Sequence, residues 1–175
     1  MLGIPVFSAD AEAKIIMSSD IDTMETIRKI AGKDVYSAGN LNRSELAKLI
    51  FNDVSLLQQI NKIVHPIVFE HFNLWTKTVS TDYMILEAAI LFESCASGFV
   101  DKTVLVVAPV EERIDRVIRR NNLTREQVLE RIKNQMTDEE KIKLSDYVIN
   151  NSEHEMIIPP ILKIHEEILK LIKSN

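Results

Sequence analysis

Two groups of residues in this 175-residue chain have the types and spacing to act on a charged ligand: carboxylates that close short apolar runs, and a cluster of arginines. Asp10 follows directly on residues 4–8 (IPVFS), which read as a strand. In an open parallel sheet the carboxyl ends of the strands face the ligand crevice, and a carboxylate there can accept or orient the proton of a hydroxyl. The competing role is an N-cap for a helix over 11–17, which spacing alone favours. Glu87 closes a second apolar run, Tyr83–Glu87 (YMILE). Between Arg113 and Lys133, seven basic residues stand against three acidic ones, a local +4 in a chain of net charge −5. For any single arginine a solvated helical face is the commoner role. A cluster of guanidinium groups, however, matches phosphate geometry.

These residues need elements to position them. Ile21, Met24, Ile27 and Ile30 recur at a helical period, and GKDVYSAGNLN reads as a turn-rich connection. Asn42, with Glu45 three residues on, opens a helix at RSELAKLIF; Asp53 caps the next, which Pro66 is expected to bend or end. Helix continues over 66–77, so residues 42–78 form a helical lobe without strands. The runs 83–87 and 103–107 (TVLVV) read as strands buried on both faces, and 147–149 as the last strand. Pro109 starts a helix to about Arg120, and Thr124/Gln127 and Thr137/Glu140 each match a capping box. An amphipathic helix over 159–173 closes the chain. Strands alternating with helices predict an α/β fold with a parallel sheet.

The chain as a whole narrows the classes further. Its acidic balance argues against broad nucleic-acid binding, and no apolar stretch reaches membrane-span length. Cys95 is the only cysteine, and no basic leader opens the chain, which together point to a reducing, cytoplasmic setting. His65, His71, His154 and His165 are scattered, so no metal-spaced Cys/His cluster is present.

Seven short stretches follow one another in a specific order: G-I-P-V-F-S-A-D-A-E-A-K, L-N-R-S-E-L-A-K-L-I-F, I-N-K-I-V-H-P-I-V, I-L-E-A-A-I-L-F-E-S, V-L-V-V-A-P-V-E-E-R-I-D-R-V-I-R-R-N, T-R-E-Q-V-L-E-R-I-K-N-Q and S-D-Y-V-I-N-N. This succession resembles the dephospho-CoA kinases over almost the whole chain. The resemblance implies a P-loop NTPase-type three-layer α/β/α parallel sheet. It implies a kinase core over 1–40 and 80–175, with a lid at about 118–142, and a dephospho-CoA-binding lobe over 41–79. The implied reaction transfers the γ-phosphate of ATP, with Mg2+, to the ribose 3′-hydroxyl of dephospho-CoA. The small-molecule partners are those two substrates, with no nucleic acid and no membrane.

Residue by residue, the resemblance places the acceptor-side aspartate at Asp10, with Ser8 where the family often has a second acid. It matches Glu87 to the magnesium-side acid, and Arg116, Arg120 and Arg131 to the arginines around the lid. Arg43, the His65-Pro66 step and Glu93 fall on the acceptor side, with anchoring of its own loop as the alternative role for Glu93, and Asn151 at the adenine end. Glu112, one helical turn from Arg116, offers a simple ion pair as an alternative role. Ala89 and Arg113 depart from the family's usual proline and glutamine. A different nucleotide or nucleoside kinase is a second reading, disfavoured by R-S-E-L and H-P; a non-catalytic paralogue is a third.

One part of the family pattern is missing. Only four glycines occur, and no G-K-S or G-K-T string, so the phosphate-cradling loop is absent. By the resemblance Met1 corresponds to an internal methionine, after roughly 25 residues of strand, loop and helix. The implied strand order is 2-3-1-4-5, with the central strand lacking, and activity of these residues alone is not expected. Strands 83–87 and 103–107 must then pair directly, leave an unsatisfied gap, or borrow a strand. A strand within these residues that pairs with both would contradict this reading.

Overall fold

The computed structural model describes residues 2–32, 34–37, 39–94, 96–121 and 123–174, without the side chain of Asn52. Met1, Lys33 and Cys95, which figure in the sequence reading, lie outside the described residues. By packing the chain divides into two compact units, Met1–Ala89 and Ile90–Asn175. The first contains β1 (Val6–Ser8), α1 (Ala9–Ser19), α2 (Ile21–Ala31), β2 (Tyr36–Ser37), β3 (Asn40–Leu41), α3 (Arg43–Asn52), α4 (Val54–Thr76) and β4 (Ile85–Glu87). The second contains β5 (Val104–Val107), α5 (Val110–Asn121), α6 (Arg125–Lys133), α7 (Asp138–Leu144), β6 (Tyr147–Asn150) and α8 (Ile158–Ser174), with a 3-10 turn at Ala96–Phe99.

Side-chain caps set the helix starts. Asn42 Oδ1 accepts from Glu45 N at 3.1 Å and Asp53 Oδ1 from Leu56 N at 2.9 Å, as the sequence predicts. Both threonine capping boxes are complete. The cap of α1 is Ser8 rather than Asp10: Ser8 Oγ accepts the Ala11 N–H at 3.4 Å, and Asp10 falls inside the first turn.

α4 runs as one helix through Pro66 instead of ending there. Leu56, Ile60, Val64, Val68 and Phe72 recur every fourth residue on one buried line. Burying each is favourable by about 1.5–3 kcal/mol, which together outweighs the roughly 3 kcal/mol that an interior proline costs. This line is the floor of the first unit's core, completed by Phe7, Ile16, Ile27, Val35, Tyr36 and Leu46. Phe7 packs edge-on to Phe72 at 5.4 Å and against Trp75 at 5.5 Å.

β1 and β4 pair in parallel, with Val6 opposite Ile85, Phe7 opposite Leu86 and Ser8 opposite Glu87. β5 and β6 pair in parallel from Val104–Tyr147 to Val107–Asn150. In the implied order 2-3-1-4-5 these are the neighbours 2-3 and 4-5. Among the described residues β4 and β5 each have a single strand neighbour, and no strand pairs with both. Direct pairing of β4 with β5 is thus not found among the described residues. Ile85, Val104 and Val106 are 41%, 42% and 56% exposed, so these runs are not buried on both faces; the period of two turns alternate residues toward a side that nothing described covers.

The connection read as turns holds a small hairpin, β2 with β3, registered Tyr36–Leu41 and Ser37–Asn40. Gly39 adopts φ 79°, which a side chain would resist. Tyr36 anchors the hairpin: its hydroxyl donates to Met17 O at 2.9 Å, and the Arg28 guanidinium lies 4.7 Å over its ring. In the second unit Ile114, Val128, Ile149 and Ala96 are buried, whereas α8 buries no residue fully.

Asp146 ties the start of β6 to the start of β5. Its Oδ2 accepts from Thr103 N and Thr103 Oγ1, both at 2.8 Å, and its Oδ1 pairs with Lys102 at 2.8 Å. The Lys102 bond first, then those from Thr103, hold the carboxyl down to about 2 from 3.8. Because the folded value is depressed, this stabilisation is fully present above the ordinary carboxylate value and is lost as pH falls toward 2. Asp146→Ala is expected to lower urea stability at pH 7 by about 1 kcal/mol, a modest figure because the side chain is 34% exposed. The gap between wild type and variant should close between pH 4 and 2; an equal gap at both ends would show that the carboxylate's charge is not the cause.

Candidate functional site

In the first unit the site grows out of one junction. β1 passes into α1 without a loop, so Ser8 is both the last strand residue and the helix cap. Its lone pair takes the Ala11 N–H, which leaves its proton for the residue opposite in the ladder: Ser8 Oγ donates to Glu87 Oε2 at 2.6 Å. Glu87 is thereby held at the carboxyl end of β4, exposed, with one oxygen committed to Ser8.

Asp10, half-buried in the first turn of α1, has its pKa raised above 3.8. Burial is the main cause and the Glu87 charge the second; Lys14, a hydrogen bond from the Ala89 backbone and His65 act the other way. His65, half-buried on α4, is pushed below its ordinary 6.5 by burial, with the Asp10 charge opposing. At neutral pH it is therefore mainly uncharged. The structure thus brings Asp10, Glu87 and His65 into one electrostatic neighbourhood, together with Ser8, which the sequence offered only as a substituted acid.

Two other acceptor-side residues stand apart from this group. Arg43 is exposed at the first position of α3 and makes no ion pair among the described residues. A cation at a helix N-terminus is opposed by the helix dipole, so the helix gains nothing from it there. Pro66 is exposed within α4. A groove of about 380 Å³ between α2 and α4, walled by Asp20, Asp22, Glu70 and His71, contains none of the residues predicted from sequence.

In the second unit the arginine cluster separates into paired and unpaired members. Arg116 donates to Asn151 O at 2.9 Å and pairs with Glu112 at 2.9 Å, so it braces α5 against the segment after β6. Glu112 also accepts the Glu153 N–H at 3.0 Å. Arg113 forks onto Asp138 at 3.1 and 2.8 Å, and Arg125 pairs with the exposed Glu111 at 2.7 Å. Lys133 pairs with Glu130 within its own helix. Arg120 donates only to its neighbour Asn121, and Arg131 has no partner among the described residues; both are exposed. Arg120 and Arg131 are therefore the predicted cations whose charge is not already neutralised.

Glu93 is not an exposed ligand group. Its Oε1 accepts the Met136 N–H at 2.9 Å and the Lys141 ammonium at 2.9 Å. Burial works against its charge, but Lys141 and the backbone amides outweigh it and hold the carboxyl below its usual value. Asn151 contributes its carbonyl to Arg116, and its N–H to Val107 O at 2.7 Å. Sequence reasoning missed Lys141 and the Arg113–Asp138 fork because nothing in the local pattern of α7 marks either residue as paired.

Among the described residues no group of three or more His, Cys, Asp or Glu could hold a metal ion by itself. Mg2+ in phosphoryl-transfer sites is commonly held by one or two carboxylates and the substrate phosphates. Glu87, exposed and fixed through a single oxygen, fits that smaller requirement. Among the described residues no helix is long and apolar enough to cross a membrane.

The electrostatics of the first unit can be measured directly. The carboxyl carbon of Asp10, followed by NMR, is expected to titrate above pH 3.8, and Glu87→Gln to shift that midpoint downward by removing a like charge. A midpoint unmoved by Glu87→Gln would mean that the two carboxylates do not interact.

The dephospho-CoA kinase family model matches residues 1–156. The dephospho-CoA kinase of Bacteroides fragilis strain YCH46 is 38% identical over 165 residues, covering 94% of this chain and 80% of the relative. That of Listeria monocytogenes strain EGD-e is 34% identical over 155 residues, covering 86% and 78%. Among solved structures, TT1252 from Thermus thermophilus superposes with a TM-score of 0.81 at 32% identity, covering 94% of this chain and 84% of that one. A dephospho-CoA kinase from Campylobacter jejuni superposes at 0.58 with 22% identity, covering 99% and 85%, and bears on the fold alone.

Proposed function

The chain belongs to the dephospho-CoA kinase family, and we propose that its residues serve ATP-dependent phosphorylation of the ribose 3′-hydroxyl of dephospho-CoA. The observation that carries this reading is the pair of carboxylates at the β1–α1 junction: Asp10, with its pKa raised, beside Glu87, which Ser8 holds in place. In the proposed step Asp10 accepts the proton of the 3′-hydroxyl as that oxygen bonds to the γ-phosphorus. The bond from phosphorus to the bridging oxygen breaks, and its electron pair leaves with ADP. Such a base must be ionised in use yet have some affinity for a proton, and partial burial next to a second carboxylate supplies both.

Glu87 would hold Mg2+, which when bound neutralises phosphate charge. Arg120 and Arg131 are proposed to stabilise the transferring phosphoryl group, and Arg116 to keep α5 and Asn151 in place. Neutral His65, the Pro66 step and Arg43 are assigned to the acceptor, with residues 41–79 as its lobe, 118–142 as the lid and the cytoplasm as the setting. Glu93 moves from acceptor contact to an internal support.

No G-K-S or G-K-T string occurs in the 175 residues. Acceptor binding without turnover is therefore expected from these residues alone. Titration calorimetry should detect dephospho-CoA binding, which Arg43→Ala weakens about tenfold, the effect of losing one charge-assisted contact. A chain that binds nucleoside monophosphates but not dephospho-CoA would instead favour a different nucleotide kinase.

A further inference from the structure

Lys141 is the one charged residue that is buried among the described residues, 8% exposed, and its partner Glu93 is partly buried. A lysine gives up its hydration only for a partner, and the partner here is Glu93. The same Glu93 oxygen also receives the Met136 N–H, and Glu93 Oε2 is buried without a partner among the described residues. One turn back on α7, Asp138 receives the Arg113 fork. Residues 136, 138 and 141 are thus each tied by a charged group to residues outside the α6–α7 segment.

The other end of α6 is held differently. Its one ion pair to α5, Arg125 with Glu111, has side chains 46% and 69% exposed. Exposed pairs contribute little, whereas breaking one partner of a buried pair is heavily destabilising. By its ion pairs α6 is therefore anchored more firmly at its exit than at its start, where the buried Val128 is what holds it. Arg131, exposed and without a partner among the described residues, lies two residues before that exit.

We propose that Lys141 and Glu93 are positioning residues: their buried pair clamps the exit of α6, sets where Arg131 stands, and makes residues 134–136 the hinge about which the Thr124 end of α6 swings. The assignment of Arg131 to a phosphate rests on the function proposed above; the clamp and hinge do not.

Hydrogen–deuterium exchange of the full chain without nucleotide tests the clamp. Lys141→Met should speed exchange across 125–136 at least tenfold while α5 and α8 stay within twofold, and Glu93→Gln, which keeps an acceptor for Met136, should give a smaller rise. Arg125→Ala should speed only the first turn of α6, by about twofold. Unchanged exchange in both clamp variants, or a matching rise in α5 and α8, overturns the clamp. If Lys141→Met does not fold, the Glu93→Gln result decides.

The ATP dissociation constant tests whether the clamp acts through Arg131. Lys141→Met and Arg131→Ala should each weaken ATP about tenfold, and together no more than either alone. Additive losses would overturn the positioning role and leave a structural one. If the chain binds no ATP, as the missing G-K-S or G-K-T string would explain, the exchange of residues 129–133 in the two clamp variants decides the positioning role, and an unchanged rate there overturns it.

Discussion

The parallel pairing of β1 with β4, at the register Phe7 imposes, is the constraint on which the first unit depends. Phe7 is wedged against Phe72 and Trp75 of α4, so β1 cannot slip by one residue without moving that ring out of the core. With Phe7 inside, Ser8 must lie opposite Glu87, and the hydroxyl that caps α1 is delivered to the carboxylate across the ladder. Asp10 then enters the first turn of α1, where burial and the Glu87 charge act on it together. Packing, register and electrostatics are consecutive consequences of one aromatic contact.

In the second unit, pairing decides which charges can act on a ligand. The sequence presents seven basic residues between 113 and 133, but the fold neutralises four of them through Asp138, Glu112, Glu111 and Glu130. An arginine already forked onto a carboxylate is held for architecture, and detaching it would strand a partly buried charge. The cations left open, Arg120 and Arg131 among them, stand on the exposed sides of their helices. A cluster that is +4 in sequence therefore offers a ligand much less positive charge.

Much of the fold was legible because its signals are local. The caps at Asn42, Asp53, Thr124 and Thr137 need only a side chain and an amide three residues on, and they lie where the sequence placed them. Two details depend on contacts beyond the local pattern. Helix continues past Pro66 as the sequence suggests, and of the two outcomes offered there α4 does not end, because the buried line from Leu56 to Phe72 outweighs a local penalty. The 36–41 hairpin was hidden under turn-forming residues, because Tyr36 earns its strand from Met17 and Arg28, contacts distant in sequence.

The sequence by itself determined the family, the order of helices and strands, and the identity of the residues with suitable chemistry, since each depends on composition, spacing or ordered motifs. Only the tertiary structure decided which of those residues have partners. Ser8 became a cap and a support for Glu87, Glu93 turned inward to Lys141, and Arg116 became a brace. The reason is physical: a side chain's protonation and availability depend on burial and on charges a few ångströms away, and chain folding, not sequence distance, sets both.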